Sequence, residues 1–125
     1  HPILHSFPTR RSSDLLIMID HILFKSNAYS SLLIGKKTTH FGTHTECRLG
    51  KWYAEEGKAR FGHSPSYKAM DKPHKIVHSN VMRALECIEG RDVCVENRDA
   101  ILEDFKAMEA ASAELFALTE QMIDE

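Results

Sequence analysis

"RDAILEDFKAMEAASAELFALTEQMIDE", residues 98–125, decides the fold class. Ile101, Phe105, Met108, Leu115 and Met122 fall on a repeat of threes and fours, and Leu102, Phe116 and Ile123 widen the stripe. That spacing is one apolar face of an α-helix. Ser112 and Thr119 lie on the same stripe and weaken it as a pure coiled-coil seam. Working outward, "DKPHKIVHSN" (71–80) starts another helix, with Asp71 as N-cap and Pro73 in the first turn, where a missing N–H costs nothing. Its apolar positions run through Ile76, Val77, Val81, Leu85 and Ile88 to a stop at Gly90. "LLIMIDHILFKSNAYSSLLIG" (15–35) is a third long helix, with Leu15, Ile19, Ile22, Leu23, Tyr29, Leu32 and Leu33 as its stripe and Gly35 as its stop. "CRLGKWYAEEGKARFG" (47–62) is a short helix ending near Gly57, and 36–46, 63–72 and 91–96 are loops, with at most one helical turn in 63–72. No segment has the pattern of a strand. Helices of this kind bury their stripes only against each other, so the expected fold is all-α, an antiparallel four-helix bundle with an additional short helix.

The 125 residues suffice for one modest core. A formal net charge of −2 argues against a nucleic-acid surface, and no apolar run is long enough to span a membrane. The first fourteen residues, "HPILHSFPTRRSSD", have no helical or strand period, and "SFPTRRSSDL" resembles a translated sequencing adapter. Residues 1–14 are therefore read as a non-native, disordered leader and 15–125 as the domain. Cys47, Cys87 and Cys94 are an odd, sparse set rather than a disulfide framework, which favours a reducing cytoplasm. Cys87, near Leu85 and Ile88, reads as a buried inert thiol, and Cys94 lies in the link; a disulfide between them can span that short link but is disfavoured in a reducing cytoplasm.

Eight histidines are a rich supply for a chain of this length. His74 and His78, four apart, share a helix face and can converge on one metal ion. Lys75 occupies the place where a zinc peptidase carries its glutamate base, so the pair is not of the protease form. Two ligands do not make a site, and Cys47, His21, His40, His44 and His63 all compete for the remaining places. Cys47 opens a helix, whose N-terminal partial charge favours thiolate. By spacing alone His44, three residues before Cys47, is an equal rival.

Three pieces in order carry a resemblance: "DHILF" (20–24), "CRLGKWY" (47–53) and "PHKIVH" (73–78). From about residue 16 to about residue 90 the chain resembles the bacterial chemoreceptor zinc-binding domain family. The family pattern is a histidine in the first helix, a cysteine within C-x-L-G-x-W, then H-x-x-x-H. The separations fit, with 26 positions from His21 to Cys47 and 27 from Cys47 to His74. Carried over position by position, the resemblance implies that His21, Cys47, His74 and His78 hold one Zn2+ between helices. The shell would be closed, with no open position for activating water. It leaves His40, His44 and His63 as solvated loop residues, and Asp20 and Asp71 as capping groups or acceptors for an imidazole N–H.

The resemblance further implies a cytoplasmic regulatory module joined to a chemoreceptor signalling region or a diguanylate cyclase, working as a homodimer. It would respond to zinc itself or to oxidation of the zinc-bound Cys47 thiolate. Two readings compete: a purely structural zinc staple in an interaction domain, and a small zinc hydrolase using Glu46 as base. Four good ligands fill the shell and count against the hydrolase.

Overall fold

The computed structural model describes residues 10–89 and 94–124. They form α1 (Arg10–Ile34), α2 (Arg48–Ala54), α3 (Glu56–Phe61), α4 (Pro65–Ala69), α5 (Asp71–Ala84), α6 (Glu86–Glu89) and α7 (Arg98–Asp124), with no strand among the described residues. Residues 1–9 of the expected leader, Gly90 and residues 91–93 of the expected link lie outside the described residues.

The last helix follows its sequence pattern. Ile101, Phe105, Met108, Leu115 and Met122 are buried along α7, together with Ala111, Ser112 and Thr119. The Thr119 hydroxyl donates to the Leu115 carbonyl at 2.8 Å, so its burial is satisfied within the helix. Leu102 and Ile123 stay exposed. The stripe crosses two clusters. Ile101 to Ala111 pack with Ala28, Phe41, Val77, Val81 and Leu85. Leu115 and Met122 pack with Ile17, Leu49, Trp52, Tyr67 and Met70.

The first helix departs from expectation in two ways. It begins at Arg10, and Asp14, assigned above to a disordered leader, is buried. Both Asp14 carboxylate oxygens accept from Arg60, at 3.2 and 3.3 Å. The helix is also rolled relative to its apolar stripe. Leu15, Ile19, Ile22, Leu23 and Leu33 are exposed, whereas Asp14, Ile17, His21, Ala28 and Ser31 face inward. These inward positions also follow a three-four spacing, so α1 buries the face that carries its histidine. Lys25 and Tyr29 both donate to Glu109, at 2.8 and 2.6 Å, fastening α1 to α7.

The segment 47–62 is two helices, broken at Glu55, which leaves helical geometry at φ −115°, ψ −89°. The break lets Gly57 come against the Trp52 ring, where a Cβ would sit 2.7 Å from a ring carbon. Tyr53 and Tyr67 then clasp α2 to α4: their rings stack at 4.2 Å and each hydroxyl donates to the other's carbonyl. The helix that starts at Asp71 ends at Ala84, with α6 continuing after Leu85. Asp71 is its first residue rather than its N-cap, a position held by Met70. Cys87 is buried as expected, but it is joined to Cys94 by a disulfide, with the Cα atoms 4.9 Å apart. The expected inert thiol at Cys87 is thereby corrected: the two Cα atoms lie within disulfide reach, and the pairing that a reducing cytoplasm disfavours is the one present.

Candidate metal centre

Three helices converge on one point between the two clusters. His21 comes from the inward face of α1, Cys47 caps α2, and His74 and His78 lie one turn apart on α5. Each offers a ligand atom, and the four atoms lie within 4.8 Å of one another. The ring centroids of His74 and His78 stand 4.8 Å apart, and His21 is 5.0 and 5.4 Å from them. Phe24 packs 4.2 Å from the His78 ring, and Phe116 of α7 meets His21 edge-on at 6.3 Å. The histidines are all but dry: His21, His74 and His78 are 2–3 % exposed.

Their local chemistry prepares them to donate lone pairs. Burial, followed by the nearby His78 and Lys25, pushes His21 down to about 3. Burial, then the neighbouring His21 and His78, lowers His74 to about 2. Burial also lowers His78. All three imidazoles are therefore neutral near pH 7, the form that binds metal. His78 Nδ1 lies 2.9 Å from the Gly42 carbonyl. A carbonyl only accepts, so Nδ1 carries the proton and Nε2 is left as the lone pair.

The sharpest observation is what those nitrogens lack. Both ring nitrogens of His21 and Nε2 of His78 are buried without a hydrogen-bond partner. Each such group costs on the order of 1–3 kcal/mol if nothing meets it. A cation at the point of convergence removes that cost for the lone pairs. Three imidazoles and one thiol are a donor set that suits zinc, so the residues present fit the ion.

Cys47 behaves differently from its sequence reading. It is the N-cap, and Gly50 N–H points at Sγ from 3.4 Å. Yet burial outweighs that contact and pushes the thiol up. Without metal it is a thiol near pH 7, 3.2 Å from His74 Nε2. Gly50 is required for a close approach within this turn: a Cβ there would land on the His44 carbonyl oxygen, in the backbone just before the cap.

The remaining sequence candidates separate clearly. His40 is exposed, with its side chain 82 % accessible, and His63 is exposed as well. His44 is not solvated: its side chain is only 17 % accessible, with Nε2 3.3 Å from Asp71. Its ring stands perpendicular to His74 at 5.4 Å. Its spacing to Cys47 makes it a rival for a ligand place, and it stands beside the cluster rather than in it. Neither aspartate is seen beside a clustered imidazole nitrogen: Asp71 faces His44, and Asp20 pairs with Arg48 at 2.8 Å, tying α1 to the start of α2. Glu46 is turned to its own loop, accepting from Thr43 N–H at 2.7 Å, which along with the Thr43 hydroxyl holds its carboxyl low.

No helix among the described residues is long and apolar enough to cross a membrane. Comparison with curated proteins and with solved structures gives no match. A family model described as the chemoreceptor zinc-binding domain matches residues 21–85, a span that contains all four clustered side chains. The family is one of zinc-binding signalling domains rather than a catalytic one. Covering just over half of the chain, that match places the protein in the chemoreceptor zinc-binding domain family.

Proposed function

We propose that this chain is a cytoplasmic sensory domain of a bacterial signalling protein of the chemoreceptor type, without enzymatic activity of its own. In this reading His21, Cys47, His74 and His78 hold one Zn2+, and occupancy or thiolate chemistry resets how the helices pack. The unpartnered nitrogens of His21 and His78, aimed with Cys47 at one point, carry the reading. α1, the α2–α3 pair, α5 and α7 then act as an antiparallel four-helix bundle with the ion among them.

Two stimuli suit this chemistry. Zinc supply acts by mass action, because an ion that binds only the folded chain stabilises it. An oxidant such as hypochlorous acid acts on the thiolate: overall, R–S⁻ and HOCl give R–SOH and Cl⁻, with sulfur losing two electrons to chlorine. A sulfenic acid is a poorer zinc ligand than a thiolate, so α2 is loosened from the shell. Leu15, Ile19, Ile22 and Leu23, exposed together on α1, support a homodimer or an attached helix of the signalling domain as their cover.

Metal analysis of the purified chain tests the site. One zinc per chain is expected, with affinity reduced at least about tenfold by His21→Ala, His74→Ala or His78→Ala and unchanged by His40→Ala. Zinc that survives loss of any of these three histidines unweakened refutes the assignment. For the redox branch, an oxidant response of the full signalling protein that is the same with Cys47→Ser removes Cys47 as the sensor. The near-complete burial of the three histidines favours slow exchange and so lends support to a structural staple as the second reading. A staple unfolds when stripped by chelator, whereas a sensor gains and loses zinc while folded.

A further inference from the structure

Beside the four clustered side chains stands a fourth imidazole that the ligand set does not use. The ring of His44 is 5.4 Å from that of His74, within the 4.8–5.4 Å that separate the clustered histidines from each other. It belongs to the same turn as Cys47, whose Sγ donates to the His44 carbonyl at 3.6 Å. Asp71 lies 3.3 Å from Nε2 and attracts an N–H there, which leaves the ring's lone pair on Nδ1. His44 also lines a cavity of about 320 Å³ together with Asp71, Gly50, Tyr53 and His74, so the ring has room to turn. A carboxylate-held imidazole next to a metal shell has the composition of a ligand held in reserve.

We propose that His44 is an alternate fourth ligand, which replaces Cys47 whenever the thiolate is lost and converts a three-histidine, one-cysteine shell into a four-histidine shell. The exchange breaks one metal–sulfur bond and forms one metal–nitrogen bond, and it needs no redox partner once the thiolate is gone. Its consequence is that the domain keeps its ion after the cysteine is damaged while α2 is released, so that the signal is a change of shell rather than loss of zinc. This inference rests on the four-ligand reading above.

The test is a double-mutant cycle in zinc affinity on the purified chain, measured by chelator competition, with His44→Gln, Cys47→Ala and the double variant. With Cys47 intact, His44→Gln is expected to change affinity by less than about threefold; with Cys47→Ala it is expected to cost about tenfold or more. Co2+ supplies a second readout. Cys47→Ala should lose the sulfur-to-cobalt charge-transfer band yet keep tetrahedral d–d absorption, and the d–d bands should shift again in the double variant as water takes the place of the His44 nitrogen. An equal cost of His44→Gln in both backgrounds makes His44 a prop for Asp71 and overturns the proposal. No cost in the Cys47→Ala background means water fills the vacant place, which overturns it as well. Failure of the wild-type chain to bind zinc instead refutes the four-ligand reading, and it is seen before any variant is compared. Circular dichroism of each metal-free variant checks folding, and His44→Asn takes the place of His44→Gln if the latter does not fold.

Discussion

Taking the zinc-free chain from about pH 7.5 to about pH 5.5 draws stability out through His21 and His74. Unfolded, each titrates near 6.5; folded, burial holds them at about 3 and about 2. Between those values the unfolded chain binds protons that the folded chain refuses, so stability is full above 6.5 and falls as the pH drops toward the folded values. One unit below the unfolded pKa, each histidine has given up about 1.4 kcal/mol, or about 3 kcal/mol for the pair. His78 adds in the same direction. Such a loss is a large part of the roughly 5–15 kcal/mol that a small domain has. The carboxylates held low, Glu46 and Glu109, start from 4.5 and lose their contribution below this window. Urea denaturation at each pH, in chelator and followed by the single buried Trp52, reads the slope. His21→Leu should flatten it by about a third to a half, since one of the three histidine titrations is gone. Midpoints that stay constant from about pH 7.5 to about pH 5.5 would falsify the claim that burial keeps these rings neutral.

Further outcomes follow from other contacts. Zinc binding near pH 7 should release about one proton, from Cys47 and none from the histidines, as read by calorimetry in buffers of different ionisation enthalpy; release of two or more means that the imidazoles were charged. Gly50→Ala should destabilise the chain by about 1–3 kcal/mol and also weaken zinc, because the added Cβ meets the His44 carbonyl and displaces the cap. Gly35→Ala, at φ +81° with open space around it, should cost about 1–2 kcal/mol through backbone alone and leave zinc affinity untouched. Reducing the Cys87–Cys94 bridge, which closes a short loop, should lower stability by about 2–3 kcal/mol in a chain-entropy estimate, checked by melting with and without a phosphine reductant.

The four clustered side chains were legible because each sits inside a short, ordered motif, and α7 was legible because one long face carries its whole core. α1 shows where that logic ends. Its apolar stripe is real, but the helix is rolled to point His21 at Cys47 and α5, so Leu15, Ile19, Ile22 and Leu23 face outward. Metal-site convergence and the Asp14–Arg60 contact outrank hydrophobic periodicity there. The break at Glu55 has no proline or glycine of its own to announce it; it arises from the seating of Gly57 on Trp52. His44 looks like a loop residue in sequence and becomes a neighbour of His74 only through tertiary structure. The Cys87–Cys94 bridge was set aside because compartment was argued from cysteine number, while the deciding fact is that the two Cα atoms stand 4.9 Å apart.

That bridge and the four-residue cluster make an instructive pair of cross-links. The covalent one joins positions seven apart and restrains little more than a bend. An ion at the cluster ties together segments 26 and 27 positions apart, spanning nearly half of the chain. Loop-closure entropy grows with the enclosed length, so an ion held there would offset a larger ordering cost on folding than the bridge does. Such an ion would make the wider of the two cross-links the one that metal supply alone can withdraw.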